Sequence, residues 1–245
     1  MPDLQYTDPR LAALYDIGNG PGRDRDFYES LAGPPPQYVL ELGCGTGWLC
    51  HIYARKGHRV VGVDPARAML QVAKEKPNGD QIEWVLASAE SYASDMRFDL
   101  IIMTGHAFQC LLSDTQISNA LATMRRHLKP TGRVVFESRN PAIDWDRHWA
   151  REVRLETETG PVMCRRRMLE NDVPDELSFA WDYEIDGETI ISRSTLRFAS
   201  REKIITLADA AGLSLVTLFG DWSGAAFYPS SSQEMIFTFC PQTDR

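Results

Sequence analysis

The stretch Val39-Leu40-Glu41-Leu42-Gly43-Cys44-Gly45-Thr46-Gly47 is a short apolar strand that ends in an acid and runs into a glycine-rich turn. Glycine there lets the backbone adopt angles that side chains forbid and approach a ligand closely. The helix that follows offers unpaired amides at its start, which can hold a carboxylate or phosphate. A dinucleotide fingerprint wants glycine at the first, third and sixth positions of such a turn. Counted from Gly43, the sixth position is Trp48, whose indole obstructs close helix packing and pyrophosphate approach. An NAD-dependent oxidoreductase using Asp64 on a ribose is disfavoured on that ground.

Outward from this stretch, short apolar runs alternate with helical segments. Tyr38–Leu42, residues 59–63, residues 81–86 and Phe98–Met103 read as strands. Residues 46–56 and 66–76 read as helices, and Ser113-Asp114 caps a third over residues 114–128. Lys129-Pro130-Thr131-Gly132 breaks the chain before a strand at 133–138, and Leu213–Phe219 and residues 234–240 supply two more. The alternation implies a doubly wound, mostly parallel seven-stranded α/β sheet covered on both faces.

The pattern changes after Asn140-Pro141. Residues 151–158, 162–170, 177–185 and 189–198 alternate in polarity with a period near two, and Asp186-Gly187 marks a tight hairpin. They form an antiparallel β insertion over residues 143–199, after the fifth strand, in a main domain made of residues 1–142 and 200–245. Cys164-Arg165-Arg166-Arg167 within it reads as the exposed part of a strand. Residues 1–36 form a helical cover. Leu11, Leu14 and Tyr15 have helical spacing before Gly18, Gly20, Pro21 and Gly22 interrupt, and 27–32 is a second short helix. Helical spacing resumes over 201–211 and closes at Gly212.

The set of motifs resembles class I S-adenosylmethionine-dependent methyltransferases, with E-x-G-x-G-x-G after a strand as their motif I. Val60-Val61-Gly62-Val63-Asp64 ends the second strand in an acid that in that family bonds both ribose hydroxyls. Ala87-Ser88-Ala89-Glu90 matches the segment flanking the adenine, Phe98–Met103 the fourth strand, and Leu128-Lys129-Pro130-Thr131-Gly132-Arg133 the lead into the fifth. The likeness covers residues 38–138 closely and most of the remainder loosely. It implies a Rossmann-like fold and S-adenosylmethionine as cofactor. It also implies cofactor contacts from Glu41, Gly43, Cys44, Gly45, Thr46, Gly47, Asp64, Pro65, Met69, Ser88, Ala89, Glu90, Thr104, Gly105 and His106. Ser88 stands where the family often has Asp, which shifts adenine recognition toward backbone amides and Glu90. Leu14-Tyr15-Asp16 resembles the cofactor-covering segment of small-molecule N-methyltransferases acting on glycine or amino sugars. Tyr15 is then either a contact to the methionine end or a buried helix tyrosine.

Thr104-Gly105-His106 replaces the Asn/Asp-Pro-Pro-aromatic signature of enzymes that methylate nucleobase amines or glutamine. Net charge is −8, with 34 acidic and 26 basic residues, which opposes phosphate neutralisation on nucleic acid. The expected acceptor is therefore a small molecule, methylated on N or O. His106, at the sheet edge where such folds place ligands, is the candidate general base. Its alternative role is a backbone hydrogen bond near the cofactor. Glu137, Arg139 and Asn140 leave the fifth strand at the same edge as candidate substrate contacts. Asp221-Trp222, in a loop with Phe227 and Tyr228, completes the set. The insertion reads as a lid or as a homodimer surface. A catalytically silent protein that binds S-adenosylmethionine or its demethylated product fits the cofactor motifs equally well. The five scattered cysteines, the absence of a signal-like start and the lack of a long apolar run point to a reduced cytoplasmic compartment, no metal and no membrane.

Overall fold

A computed structural model describes residues 2–20, 22–145 and 149–242; Pro21 and residues 146–148 of the insertion lie outside the described residues. The central strands are β1 (Tyr38–Leu42), β2 (Arg59–Asp64), β3 (Glu83–Leu86), β4 (Phe98–Met103) and β5 (Leu128–Arg139). Along β1 successive side chains go to opposite faces: Leu40 joins one buried apolar cluster and Val39 the other. With both faces covered, the strand is apolar throughout except for Glu41. Helices α4 (Trp48–Arg55) and α5 (Arg67–Glu75) follow β1 and β2, and α6 (Asp114–His127) lies between β4 and β5.

The second sheet strands are β6 (Arg151–Thr157), β7 (Gly160–Leu169), β8 (Glu176–Ile185) and β9 (Glu188–Arg197); α7 (Arg201–Ala210), β10 (Leu213–Phe219) and β11 (Glu234–Pro241) then return to the first sheet. The seven-stranded sheet has the order β10-β11-β5-β4-β1-β2-β3. Its pairs are parallel from β5 to β3, while β11 is antiparallel to both β5 and β10. The expected α/β architecture is therefore the observed one. Phe136 anchors the β5–β11 side, stacked 4.2 Å from Phe108 and 5.4 Å from Phe237.

At the start of α6, Ser113 Oγ accepts from the Gln116 amide at 3.2 Å and Gln116 Oε1 accepts from the Ser113 amide at 3.2 Å. This reciprocal cap satisfies two amides that the helix cannot. Ser113→Ala should lower stability by about 1 kcal/mol, read as a lower urea midpoint at unchanged slope.

Two sequence expectations change. The fifth strand is continuous from Leu128 and is not broken at 129–132. A Cβ on Gly132 would lie 2.8 Å from the Phe98 carbonyl oxygen, so the glycine lets the two strands pass, beside a register shift between Phe98 and Leu100. The N-terminal cover holds α1 (Leu4–Thr7), α2 (Pro9–Gly18) and α3 (Arg23–Glu29), so the last helix begins four residues before the expected 27. Extended Gly22 restarts the helix, and Asp24 and Asp26 in its first turn suit its positive end.

The second sheet is an antiparallel meander in the order β6-β7-β8-β9. Its β8–β9 turn has φ 50° at Asp186 and 81° at Gly187, the two positive values of a type I′ hairpin. It closes over the N-terminal helices: the Gln5 amide donates to Ser192 Oγ at 2.8 Å, and Leu14 packs on Leu155, Val162 and Cys164. The 164–167 run is not uniformly exposed, which corrects its reading as a solvated face. Arg165 pairs with Glu152 at 3.0 Å and Arg167 with Asp182 at 3.0 Å, whereas Arg166 is half-buried and its Nε donates to the Trp149 carbonyl at 2.6 Å. The two-residue period of a strand sends alternate arginines to opposite faces.

Candidate active site

The carboxyl edge of the first sheet is built from two turns of left-handed backbone. Gly43, Gly45 and Gly47 have φ of 69°, 55° and 70°, and Gly105 and His106 have 66° and 60°. A Cβ on Gly45 would lie 3.9 Å from the Tyr15 ring, and one on Gly105 would lie 4.0 Å from the Tyr15 hydroxyl. Tyr15 thus roofs a strip of bare backbone between the turns. Burial, and then the Asp64 charge, push its phenol up to about 12, so it remains a neutral donor.

Asp64 ends β2 beside the first turn. Its Oδ2 accepts from the Gly45 amide at 2.8 Å and its Oδ1 from the Ala66 amide at 2.8 Å. A carboxylate has about four lone-pair sites, so two remain for a ligand. Burial pushes Asp64 up to about 6 against these hydrogen bonds.

A cavity of about 800 Å³ begins here and continues beneath the second sheet. It brings together Tyr15, Gly43, Gly45, Asp64, Pro65, Met69, Ser88, Ala89, Glu90, Thr104, Gly105, His106 and Arg139 of the expected site residues. Glu41, Cys44, Thr46 and Gly47 do not line it; they shape the turn from behind. Glu41 accepts from Thr104 Oγ1 at 2.9 Å and from Cys50 Sγ at 3.0 Å, and burial pushes it up to about 7. Thr46 Oγ1 donates to Asp16 Oδ1 at 2.5 Å, and a Cβ on Gly47 would lie 2.3 Å from the Trp84 ring.

His106 lies between two acids. Its backbone amide donates to Glu137 Oε1 at 2.5 Å, and its Nε2 lies 2.9 Å from Glu234 Oε2. Its Nδ1 is 3.9 Å from Glu137 Oε1, outside hydrogen-bond range. Glu137 also accepts from the Tyr28 hydroxyl, and burial raises its carboxyl above the usual range. Glu137 does not line the cavity and forms no ion pair with Arg139. Arg139 instead donates to Gln109 Oε1 at 2.9 Å.

The remaining candidates do not line the cavity. Asn140 donates from Nδ2 to the carbonyls of Pro229 at 2.9 Å and Ser232 at 2.7 Å, which ties the last loop to β5. Asp221 is exposed and accepts from Ser223 and Ala225 amides within its own turn. Trp222 packs on Phe27 and Tyr28, with its ring 6.5 Å from that of His106. Glu234, expected only as the start of a strand and not as a site residue, has no motif around it. Only the antiparallel register, which sets Glu234 opposite Arg139, brings it to the edge. Arg151, Arg166, Trp149 and Trp181 also line the cavity; the β-period of their strands was the available signal for Arg151, Arg166 and Trp181, while Trp149 precedes β6. Among the described residues no cluster of His, Cys, Asp and Glu could hold a metal ion, and no helix is long and apolar enough to cross a membrane.

The family model described as a methyltransferase domain matches residues 39–132. The cypemycin N-terminal methyltransferase of a Streptomyces species is 27% identical over 96% of this chain and 98% of its own. Further curated methyltransferases are matched over only 36% to 50% of their own length. The CcbJ methyltransferase of Streptomyces caelestis is 25% identical, with a TM-score of 0.77 over 95% of this chain and 96% of that one. The S-adenosylmethionine-bound amino pentose methyltransferase CalS10 of Micromonospora echinaspora shares the fold, with a TM-score of 0.71 and 21% identity over 94% of this chain and 95% of that one. The glycine turns, the acid closing β2, the strand order and these likenesses agree: the chain is a class I S-adenosylmethionine-dependent methyltransferase.

Proposed function

We propose that the chain methylates nitrogen or oxygen of a small-molecule acceptor by in-line SN2 displacement, in the cavity between its two sheets. One observation carries this reading: the cavity joins the backbone strip under Tyr15 to a chamber that the second sheet covers. Its volume of about 800 Å³ falls within the roughly 300–1,000 Å³ of small-molecule sites. The net charge of −8 opposes a nucleic-acid acceptor. The full-length relative, by its name an N-terminal methyltransferase, favours an amine.

The residues present fit the cofactor. Asp64 keeps acceptor capacity for a ribose diol, and Gly45 and Gly105 present bare backbone beside Tyr15 for the amino-acid end. Ser88, Ala89 and Glu90, with Pro65 and Met69, supply a partly apolar adenine cleft. S-adenosylmethionine brings a methyl group on a sulfonium, which is already a good leaving group. What remains for the chain is to orient the acceptor, exclude water and accept a proton. With its Nε2–H donating to Glu234, His106 leaves Nδ1 unprotonated to take that proton from an ammonium or hydroxyl. The imidazolium so formed stands between Glu234 and Glu137. The second sheet serves as the lid that keeps water out.

Labelled methyl donor incubated with panels of small amines and alcohols, with proteins and with RNA tests the reading. Label should enter a small molecule, with S-adenosylhomocysteine released in equal amount. Label in macromolecules alone would overturn it. Cofactor binding without acceptor-dependent turnover across all panels would favour the catalytically silent binder.

A further inference from the structure

The cavity is also lined by a stack of alternating guanidinium and aromatic groups, with Arg151, Arg166 and Trp181 from the second sheet, Trp149 from just before it and Arg139 from the end of β5. Arg139 and Arg166 each lie 4.8 Å from the Trp149 ring centre, on a ring that both share. Arg166 is also 5.2 Å from the Trp181 ring, and Arg151 is 5.5 Å from the same ring. Arg139, Arg151 and Arg166 all line the cavity, as do both tryptophans. Arg139 links this stack to the reaction edge, since it ends β5 opposite Glu234.

Glu234 and Glu137 act on Arg139 from the reaction edge, but the charges that act on Arg166 are those of Arg151 and Arg139, not of an acid. Among the described residues none of Arg139, Arg151 and Arg166 is in an ion pair, whereas Arg165 and Arg167, one place to either side on the outer face, both are. The hydrogen bonds of the inner arginines go to neutral acceptors: Arg139 to Gln109 Oε1, and Arg166 to the Trp149 carbonyl. Burial, and then the Arg151 and Arg139 charges, pull Arg166 down to about 10. Indole faces attract guanidinium cations but leave their charge and most of their N–H donors free. Three cations held together in a partly desolvated chamber repel one another unless an anion joins them. Guanidinium forks match the geometry of carboxylate and phosphate oxygens.

We infer that the methyl acceptor is anionic, and that Arg151 and Arg166, with Arg139 on the reaction side, hold its carboxylate or phosphate while the nucleophile reaches His106. The inference rests on the reading of the cavity as the acceptor site. Trp149 and Trp181 fix the guanidinium planes, so the oxyanion sets the register of the acceptor along the cavity.

The test is calorimetric titration of the S-adenosylhomocysteine-saturated protein with inorganic phosphate and, separately, with acetate. At least one anion should bind, and the tighter one tells a phosphate ester from a carboxylic acid as acceptor. Arg166→Gln and Arg151→Gln should each weaken that binding about tenfold or more, with S-adenosylhomocysteine affinity retained as the sign of an intact fold. Absence of binding by either anion, or binding as tight in both variants as in the wild type, would overturn the inference. The cofactor reading fails separately, if S-adenosylhomocysteine itself does not bind; the anion titrations are then read on the unliganded protein.

Discussion

Replacing His106 by Ala is expected to slow turnover about 10²–10⁴-fold, the usual contribution of a positioned general base. The loss should fall on kcat, with KM and S-adenosylhomocysteine affinity retained, because the side chain takes a proton and its backbone amide still reaches Glu137. The left-handed backbone at φ 60° makes Ala a strained choice. His106→Asn tolerates that conformation and should show the same loss in a well-folded protein. Imidazole added to the buffer should restore part of the rate of the Ala variant. Glu234→Gln keeps a hydrogen-bond acceptor for Nε2 but removes the charge beside the imidazolium, so its loss in kcat should be smaller. Full turnover in both His106 variants would leave His106 as a residue that only shapes the turn.

Asp64→Ala should weaken S-adenosylhomocysteine about a hundredfold or more. Each hydrogen bond to a charged acceptor contributes about 1.5–3 kcal/mol, and 1.4 kcal/mol is tenfold. The same carboxylate sets a pH dependence. Burial has pushed it up to about 6, and ribose hydroxyls donating to it would favour its ionised form. Affinity should therefore be level above about pH 6 and fall roughly tenfold per unit below it, because protonation must be reversed before the ligand binds. Asp64→Asn should flatten that slope at a weaker overall affinity. Affinity that rises toward acid pH in the wild type would contradict the placement of the ribose on Asp64.

The sheet was legible because its strands are buried on both faces and read as unbroken apolar runs, as Phe98–Met103 does. The glycine turn after β1 was legible because positive φ at 43, 45 and 47 favours glycine at each position. Proline and glycine misled at 129–132, where Gly132 serves a close approach between strands and does not end one. Glu234 was out of reach, since it meets His106 only through the register of a strand distant in sequence. Glu41 looked like a cofactor contact from its place in the motif, yet its carboxylate is turned into the core toward Thr104 and Cys50. Asn140 and Asp221 likewise spend their polar atoms on loop geometry, which a sequence pattern does not distinguish from ligand binding. The inward placement of Arg166 was legible in part. The strand around it was recognised, and applying the two-residue period to 164–167 separates it from its outward neighbours.

The most direct test of the account is calorimetric titration of the purified protein with S-adenosylmethionine and S-adenosylhomocysteine, alongside NADH, for wild type and Asp64→Ala. Saturable binding of both adenosyl ligands by the wild type, binding about a hundredfold or more weaker in the variant and no response to NADH are expected. A well-folded wild type that binds neither adenosyl ligand, or that responds to NADH alone, would contradict the account.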